Sequence, residues 1–239
     1  MDQAIVRVVE PFLAEVDAAL GATYTAILFG SAARGDYVAG RSDLNLMLIL
    51  ERADTAELAR LRPAFTRWRK AAPGLPLVIS RQEWLHGVDV FPIEICDLRA
   101  SHQVLRGPDL VDHLRPDPAD LRRALEKEFR GKLLRLRQRY AGENDARLGD
   151  WAGGTMSAIV LFFRCLLGLM GRPAPAEPSD VIEAAAGLLG FDPAPLLRVL
   201  ACRTKPKTPL TASDFEAYLA AVERAAQFTD QLELGGQHS

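Results

Sequence analysis

Residues 28–45 constrain the fold of this chain more than any other stretch. An apolar run ends there at Gly30-Ser31. A second apolar run starts directly after Asp43 and contains Asn45 as its second residue. A glycine at the end of a strand lets the backbone approach a ligand closely, and the N–H groups that follow it can hold phosphate oxygens. Because side chains alternate along a strand, Asp43 and Asn45 are expected on one face. Their oxygens would suit Mg²⁺ beside a triphosphate.

The first half of the chain alternates between strand and helix patterns. Strands are predicted over residues 24–29, 44–50, 75–80 and 91–98. Helices are predicted over residues 4–20 and 55–70 from their apolar spacing. This alternation predicts an α/β or α+β sheet domain with helices packed on it.

A further carboxylate is expected from a neighbouring strand, to complete a metal site and to accept a proton from an attacking hydroxyl. The predicted strand 91–98 offers two, Glu94 and Asp97. They have opposite parity in a regular strand, so only one can face the site unless a bulge intervenes. We favour Glu94, and Asp97 is the alternative.

Two prolines, Pro116 and Pro118, mark a change of pattern, and every later segment has helical spacing. Four or five helices with short links predict an antiparallel bundle. We therefore predict a sheet domain over residues 1–115, a helical bundle domain over 116–234 and a disordered tail over 235–239.

The amino-acid composition disfavours several classes of partner and site. The net charge of −2 and the pI of about 6.1 disfavour nucleic-acid binding through the overall field, although a local basic patch stays open. Three widely spaced cysteines predict neither a disulfide framework nor a zinc site. The start of the chain lacks a secretory pattern, and the apolar segment 156–170 contains Arg164 and is shorter than a bilayer span. We expect a cytoplasmic protein without membrane association.

The spacing of these motifs resembles a known superfamily. Gly30-Ser31, Arg34-Gly35 and Ser42-Asp43 are similar to the signature of the DNA polymerase β-like nucleotidyltransferases, including their bacterial minimal and aminoglycoside branches. The resemblance covers residues 22–107. It implies an α+β fold in which a small mixed β-sheet domain with flanking helices precedes an all-α helical domain.

The resemblance also implies roles for individual residues. Gly30 and Ser31 would hold the triphosphate of an NTP, and Arg34 and Ser42 belong to the same nucleotide-binding motif. Asp43 would ligate Mg²⁺ and take part in catalysis. Glu94 would be the third acid, both catalytic and metal-binding.

One position departs from the superfamily pattern. Asn45 stands where the second aspartate belongs, so the motif reads Asp-x-Asn. An amide oxygen can still coordinate a hard cation, but it brings no negative charge. In the superfamily the paired aspartates bridge two metals, and at least one of these sites is therefore expected to be weakened.

Some candidate residues have an ordinary structural explanation. Arg34 fits a solvated position on a surface helix as well as a phosphate contact. The basic residues of segment 120–140 could line a cleft, but a solvated helix face with pairs such as Glu126 with Arg130 is the more common arrangement. The four histidines show no metal-ligand spacing.

The sequence thus predicts an enzyme that transfers a nucleoside monophosphate from an NTP, with Mg²⁺, to a hydroxyl of a small molecule such as an aminoglycoside. The alternative is a weakened or inactive nucleotide-binding module that engages a partner through its helical domain. The acceptor, the base preference and the role of a homodimer stay open.

Overall fold

The computed structural model describes residues 2–35, 37, 44–204 and 210–234. Ser42, Asp43 and the predicted tail over 235–239 lie outside the described residues. The chain divides into two compact units, Met1–Pro116 and Asp117–Ser239. The division lies within the segment that carries the two prolines.

The first unit is an α+β unit built on a four-stranded mixed sheet. Its elements are α1 (Gln3–Leu20), β1 (Tyr24–Phe29), α2 (Ser31–Arg34), β2 (Asn45–Leu50), α3 (Thr55–Ala71), β3 (Leu77–Ser80), α4 (Arg81–His86), α5 (Pro92–Ala100) and β4 (His102–Arg106). The strand order is β3-β2-β1-β4. Strand β1 is antiparallel to β2 and β4, whereas β2 and β3 are parallel. The mixed sheet agrees with the prediction.

Both faces of the sheet are covered, which explains why β1 and β2 are almost entirely apolar. One face packs against the apolar stripes of α1 and α3, among them Phe12 and Trp68. The opposite face carries Ile27, Phe29, Met47 and Ile49. Its cover comes from α4, α5 and the segment after β4, through the buried side chains Trp84, Ile95, Leu98, Leu110, Val111 and Leu114.

The predicted strand over 91–98 is wrong. This segment belongs to helix α5, which begins at Pro92 and ends at Ala100. Phe91, Ile93 and Ile95 alternate with other residues as in a strand, but Phe91, Ile95 and Leu98 also have helical spacing, and proline is favoured in the first turn of a helix. The fourth strand is instead β4, which follows directly.

The second unit is helical. The structure describes five helices there: α6 (Pro118–Gly142), α7 (Asp145–Leu169), α8 (Pro178–Leu189), α9 (Ala194–Thr204) and α10 (Ala212–Gln231). Helix α6 packs against α7 and α10, and α9 also packs against these two. Buried residues of α6 recur every three or four positions, at Leu121, Leu125, Phe129, Leu133 and Leu136. This agrees with the predicted all-α part of the fold.

Basic residues of α6 form ion pairs inside the second unit. Arg130 binds Glu126 at 2.9 Å, as predicted, and also Asp230 of α10 at 2.9 Å. Arg137 binds Glu223 of α10 at 2.5 Å, and the Arg139 guanidinium lies 3.5 Å from the ring centre of Trp151. These contacts support the interpretation of α6 as a helix stabilised by ion pairs.

Helix α7 contains a long apolar segment. Among the described residues, its segment Arg147–Leu169 is the one stretch long and apolar enough to cross a membrane, by length and composition only. Of the most apolar part of that segment, 50% is buried inside the fold. Core helices of soluble proteins have the same composition, because a helix buried on several sides needs apolar residues on each of them.

Candidate functional site

The turn after β1 has a backbone that requires glycine. Gly30 has φ +69° and ψ −148°, a region in which a side chain is strained. Its carbonyl accepts the N–H groups of Ala33 and Arg34, both at 3.1 Å, which turns the chain into the short helix α2. The strand β1 therefore ends in a tight turn at the position where the sequence predicts contact with phosphate.

Asn45, the first residue of β2, lies against this turn. It is the register partner of Phe29, the last residue of β1. A Cβ atom built on Gly30 would lie only 2.6 Å from Asn45 Nδ2. The side-chain amide thus occupies the space that a larger residue at position 30 would need. The structure thus brings Gly30 and Asn45 into direct contact.

His102 flanks Phe29 on the other side. It is the first residue of β4 and the register partner of Phe29, so Asn45 and His102 are neighbours of the same residue on opposite strands. Phe29 belongs to the core under α4 and α5. Because directly paired residues share a face, Asn45 and His102 point toward this same side of the sheet.

Arg34 and Asp97 form an ion pair between α2 and α5. Arg34 Nη1 lies 2.7 Å from Asp97 Oδ1. The Asp97 residue is 7% exposed, and a carboxylate this buried is costly unless a cation or hydrogen-bond donors surround it. The sequence pattern indicates separate roles for these two residues, and the structure places them in direct contact.

Glu94 does not lie on the sheet. It is on the exposed side of α5, whereas Asp97, one helical turn further, is on the buried side. In a strand only one of Glu94 and Asp97 could face the site, but this restriction does not apply to a helix. The role of Glu94 as an acid therefore stays a prediction.

The predicted ligands that the structure describes do not by themselves form a Mg²⁺ site. Among the predicted ligands that the structure describes, Asn45 is the one beside the turn, and it offers a single neutral oxygen. Mg²⁺ favours octahedral oxygen coordination, usually with one or two carboxylates, so the predicted metal site depends on Asp43, which lies outside the described residues.

A group that sequence spacing did not indicate lies at the start of β4. His102, Asp109 and Asp112 have potential ligand atoms within 4.8 Å of one another. The ring atoms of His102 contact the Leu98 carbonyl oxygen at 2.7 Å through Nδ1 and Asp109 Oδ2 at 3.0 Å through Nε2. Geometrically the group could hold a metal ion, but its spacing along the chain matches no common metal-binding motif.

The surroundings of Asp109 lower the pKa of its carboxyl group. Burial acts in the opposite direction, but the hydrogen bond to His102 and the backbone N–H of Val111 at 2.8 Å together outweigh it. His102 and the Val111 N–H therefore stabilise the negative charge of Asp109. This charge lies at the end of the sheet that carries Gly30 and Asn45.

Comparison with known proteins supports the fold. No protein-family model matches the chain, and no curated protein matches it. Among solved structures, the chain is similar to spectinomycin adenyltransferase AAD(9) from Enterococcus faecialis, which was crystallised with ATP and spectinomycin. The TM-score is 0.55 at 14% identity, and the match covers 93% of this chain and 99% of the other. The chain therefore has the fold of a nucleotidyltransferase along nearly its whole length.

Proposed function

We propose that this protein is a nucleotidyltransferase that transfers a nucleoside monophosphate from an NTP to a hydroxyl group of a small molecule. The observation that carries the proposal is the fold likeness to an adenyltransferase over 93% of the chain. The predicted phosphate-binding turn supports it, because Gly30 adopts a glycine-specific conformation beside Asn45. The bound ATP and spectinomycin of that neighbour suggest ATP and an aminoglycoside-like acceptor.

In this proposal the turn binds the triphosphate. Backbone N–H groups after Gly30 would donate to phosphate oxygens, and Ser31, Arg34 and Ser42 would add side-chain donors. Positioning and charge neutralisation would supply most of the rate acceleration. Asp43, Asn45 and Glu94 stay the predicted ligands of Mg²⁺, which would add positive charge beside the phosphates.

The proposed reaction is a displacement at the α-phosphorus of the NTP. The acceptor hydroxyl oxygen attacks the α-phosphorus, a new O–P bond forms, and the bond from that phosphorus to the β-phosphate oxygen breaks. Pyrophosphate leaves with the electron pair. Glu94 is the carboxylate proposed to orient the hydroxyl and to accept its proton.

The second candidate is a nucleotide-binding module without transfer activity. The specific observation in its favour is Asn45, since a neutral amide lies at the turn where the superfamily has a carboxylate. Such a module would bind an NTP weakly with Mg²⁺ and use its helical unit to contact a partner.

A transfer assay separates the two candidates. Radiolabelled ATP, GTP, CTP and UTP are each incubated with Mg²⁺ and a panel that contains spectinomycin and other aminoglycosides, and calorimetry measures NTP binding with and without Mg²⁺. An active enzyme labels an acceptor and releases pyrophosphate. The enzyme proposal also requires that Asp43→Ala abolish transfer.

Two variants complete the test. Asn45→Asp restores the carboxylate, so gain of transfer in this variant from an inactive wild type supports the weakened module. Glu51→Ala is the matched control, because Glu51 is an exposed carboxylate just after β2, at the strand end away from Asn45. Absence of NTP binding in both the wild type and Asn45→Asp contradicts both candidates.

A further inference from the structure

The Arg34 side chain begins next to the predicted phosphate-binding turn. Its backbone N–H donates to the Gly30 carbonyl at 3.1 Å, so it lies one turn of chain after Gly30. Helix α2 ends directly afterwards at Gly35, whose φ of +90° is left-handed. The position of the Arg34 backbone is thus set by two glycine-dependent turns.

The other end of the Arg34 side chain is held by Asp97. The contact of 2.7 Å joins Nη1 to Oδ1, and the side chains are 22% and 8% exposed. An arginine side chain loses much rotamer freedom on being ordered. A carboxylate that already orders it removes part of that loss from the binding of a second anion.

We propose that Asp97 is a positioning residue that holds the Arg34 guanidinium beside the Gly30 turn, where Arg34 binds the triphosphate of the NTP. This inference rests on the proposed function. A guanidinium carries five N–H donors in a planar fork, so a carboxylate on one side is compatible with a phosphate on another. Asp97 is then neither a metal ligand nor the proton acceptor.

The helix that carries Asp97 is itself fixed to the site. Ile95 and Leu98 of α5 are fully buried with Phe29 and Met47 under the sheet. Asp97 therefore projects from a rigid part of the core and not from a loop. A carboxylate on such an element can set the position of Arg34 with the accuracy that a binding site needs.

The test measures ATP affinity and transfer kinetics of the full chain carrying Arg34→Gln, Asp97→Asn, Asp97→Glu and the double variant Arg34→Gln/Asp97→Asn. We expect Arg34→Gln and Asp97→Asn each to weaken ATP binding about tenfold, the size of one hydrogen bond to a charged group. KM for ATP rises accordingly, whereas kcat and the Mg²⁺ concentration at half-maximal activity stay near wild type. Asp97→Glu recovers part of the affinity.

The double variant gives the decisive comparison. If Asp97 acts through Arg34, the double variant binds ATP no more weakly than Arg34→Gln alone, because the second change removes nothing further. Asp89→Asn and Arg99→Gln are the controls, since both residues are exposed and lie in or just before α5. Thermal unfolding of each variant is measured first, and the assays are run at a temperature at which all variants are folded.

Several outcomes would overturn the inference. One is unchanged ATP affinity in Asp97→Asn or Arg34→Gln while the wild type binds ATP. Additive losses in the double variant are another. A loss of kcat with a raised Mg²⁺ requirement in Asp97→Asn assigns Asp97 to the metal instead. A wild type that binds no NTP contradicts the proposed function itself, which distinguishes that failure from the others.

Discussion

The amide of Asn45 occupies the space in front of Gly30, with Nδ2 only 2.6 Å from where a Cβ atom on Gly30 would lie. The glycine and the asparagine are therefore dependent on each other. The turn needs a residue without a side chain both for its backbone angles and for the neighbour that stands over it. This pair leads to the first prediction.

We expect Gly30→Ala to destabilise the protein in two ways. The strained backbone should cost about 1–3 kcal/mol, and displacement of the Asn45 side chain should add about 0.5–1.5 kcal/mol. Urea denaturation measures the sum. The same variant should weaken NTP binding, since the displaced amide lies at the proposed site.

Gly21 provides a matched control for this variant. Its angles, φ +71° and ψ −156°, are close to those of Gly30, but apart from its chain neighbours no described residue lies within 4 Å of its Cβ position. Gly21→Ala should therefore show the backbone cost alone. If Gly30→Ala is no more destabilising than Gly21→Ala, the contact with Asn45 has no energetic weight; if it is, Asn45→Ala should remove the difference.

The second prediction concerns two tryptophans that are both 1% exposed. Trp84 Nε1 donates to the Leu110 carbonyl at 2.9 Å, whereas no group in the described part of the protein accepts from Trp68 Nε1. Trp84→Phe leaves a buried carbonyl without its donor, so it should cost about 1–3 kcal/mol more than Trp68→Phe. Chemical denaturation of both variants tests this, and equal losses would contradict it.

The third prediction is a pH dependence that arises at Asp214. Hydrogen bonds from Arg198 at 2.8 and 2.5 Å lower the pKa of this carboxyl, burial opposes them, and Thr211 adds to the lowering. Because the folded-state pKa is below the unfolded one, the unfolded state binds more protons in acid. The stabilisation is complete above the ordinary carboxyl pKa of about 4 and is lost as the pH falls through the folded-state value.

Asp214→Asn tests this assignment. The variant should be less stable than wild type at pH 7, and the difference should shrink as the pH is lowered below 4, measured by urea denaturation at each pH. Asp180→Asn serves as the control, because Asp180 lies in the first turn of α8 just as Asp214 lies in the first turn of α10. A difference between wild type and Asp214→Asn that stays constant with pH would contradict the assignment.

The fourth prediction concerns His102 and its partner Asp109. Removing the imidazole in His102→Phe takes away the contact that lowers the Asp109 pKa, so the pKa of Asp109 should rise. NMR titration of the Asp109 carboxyl carbon measures this directly. His113→Phe is the control, as His113 is an exposed histidine nearby in the chain. An unshifted Asp109 titration in His102→Phe would show that the backbone N–H of Val111 dominates.

The sequence predicted strands β1, β2 and β3 but missed the edge strand β4. Strands β1 and β2 are covered on both faces, so their composition alone identifies them. Among the strands that the structure describes, β4 pairs only with β1. It begins and ends with the polar residues His102 and Arg106, so its pattern is weak. The preceding segment, 91–98, has stronger strand character, so the sequence predicts a strand there, although the segment forms α5.

Distance along the chain explains which contacts of the candidate site could be predicted. Gly30 and Asn45 are close along a hairpin-like pair of strands, and motif spacing is enough to bring them together. The contact of Arg34 with Asp97 joins residues 63 positions apart through the packing of a helix on the sheet. Short-range periodicity contains no information about such a contact, and neither does it reveal the group of His102, Asp109 and Asp112.

The strand order has a consequence for how the protein folds. The central strand β1 needs β4 on its outer side, and Thr25 Oγ1 bonds the Pro108 carbonyl across 83 positions. Contacts this distant in sequence form slowly, because a long loop must close before they contribute. During synthesis the sheet is therefore incomplete until residue 108 has left the ribosome, and the nascent apolar β1 and β2 need protection until then.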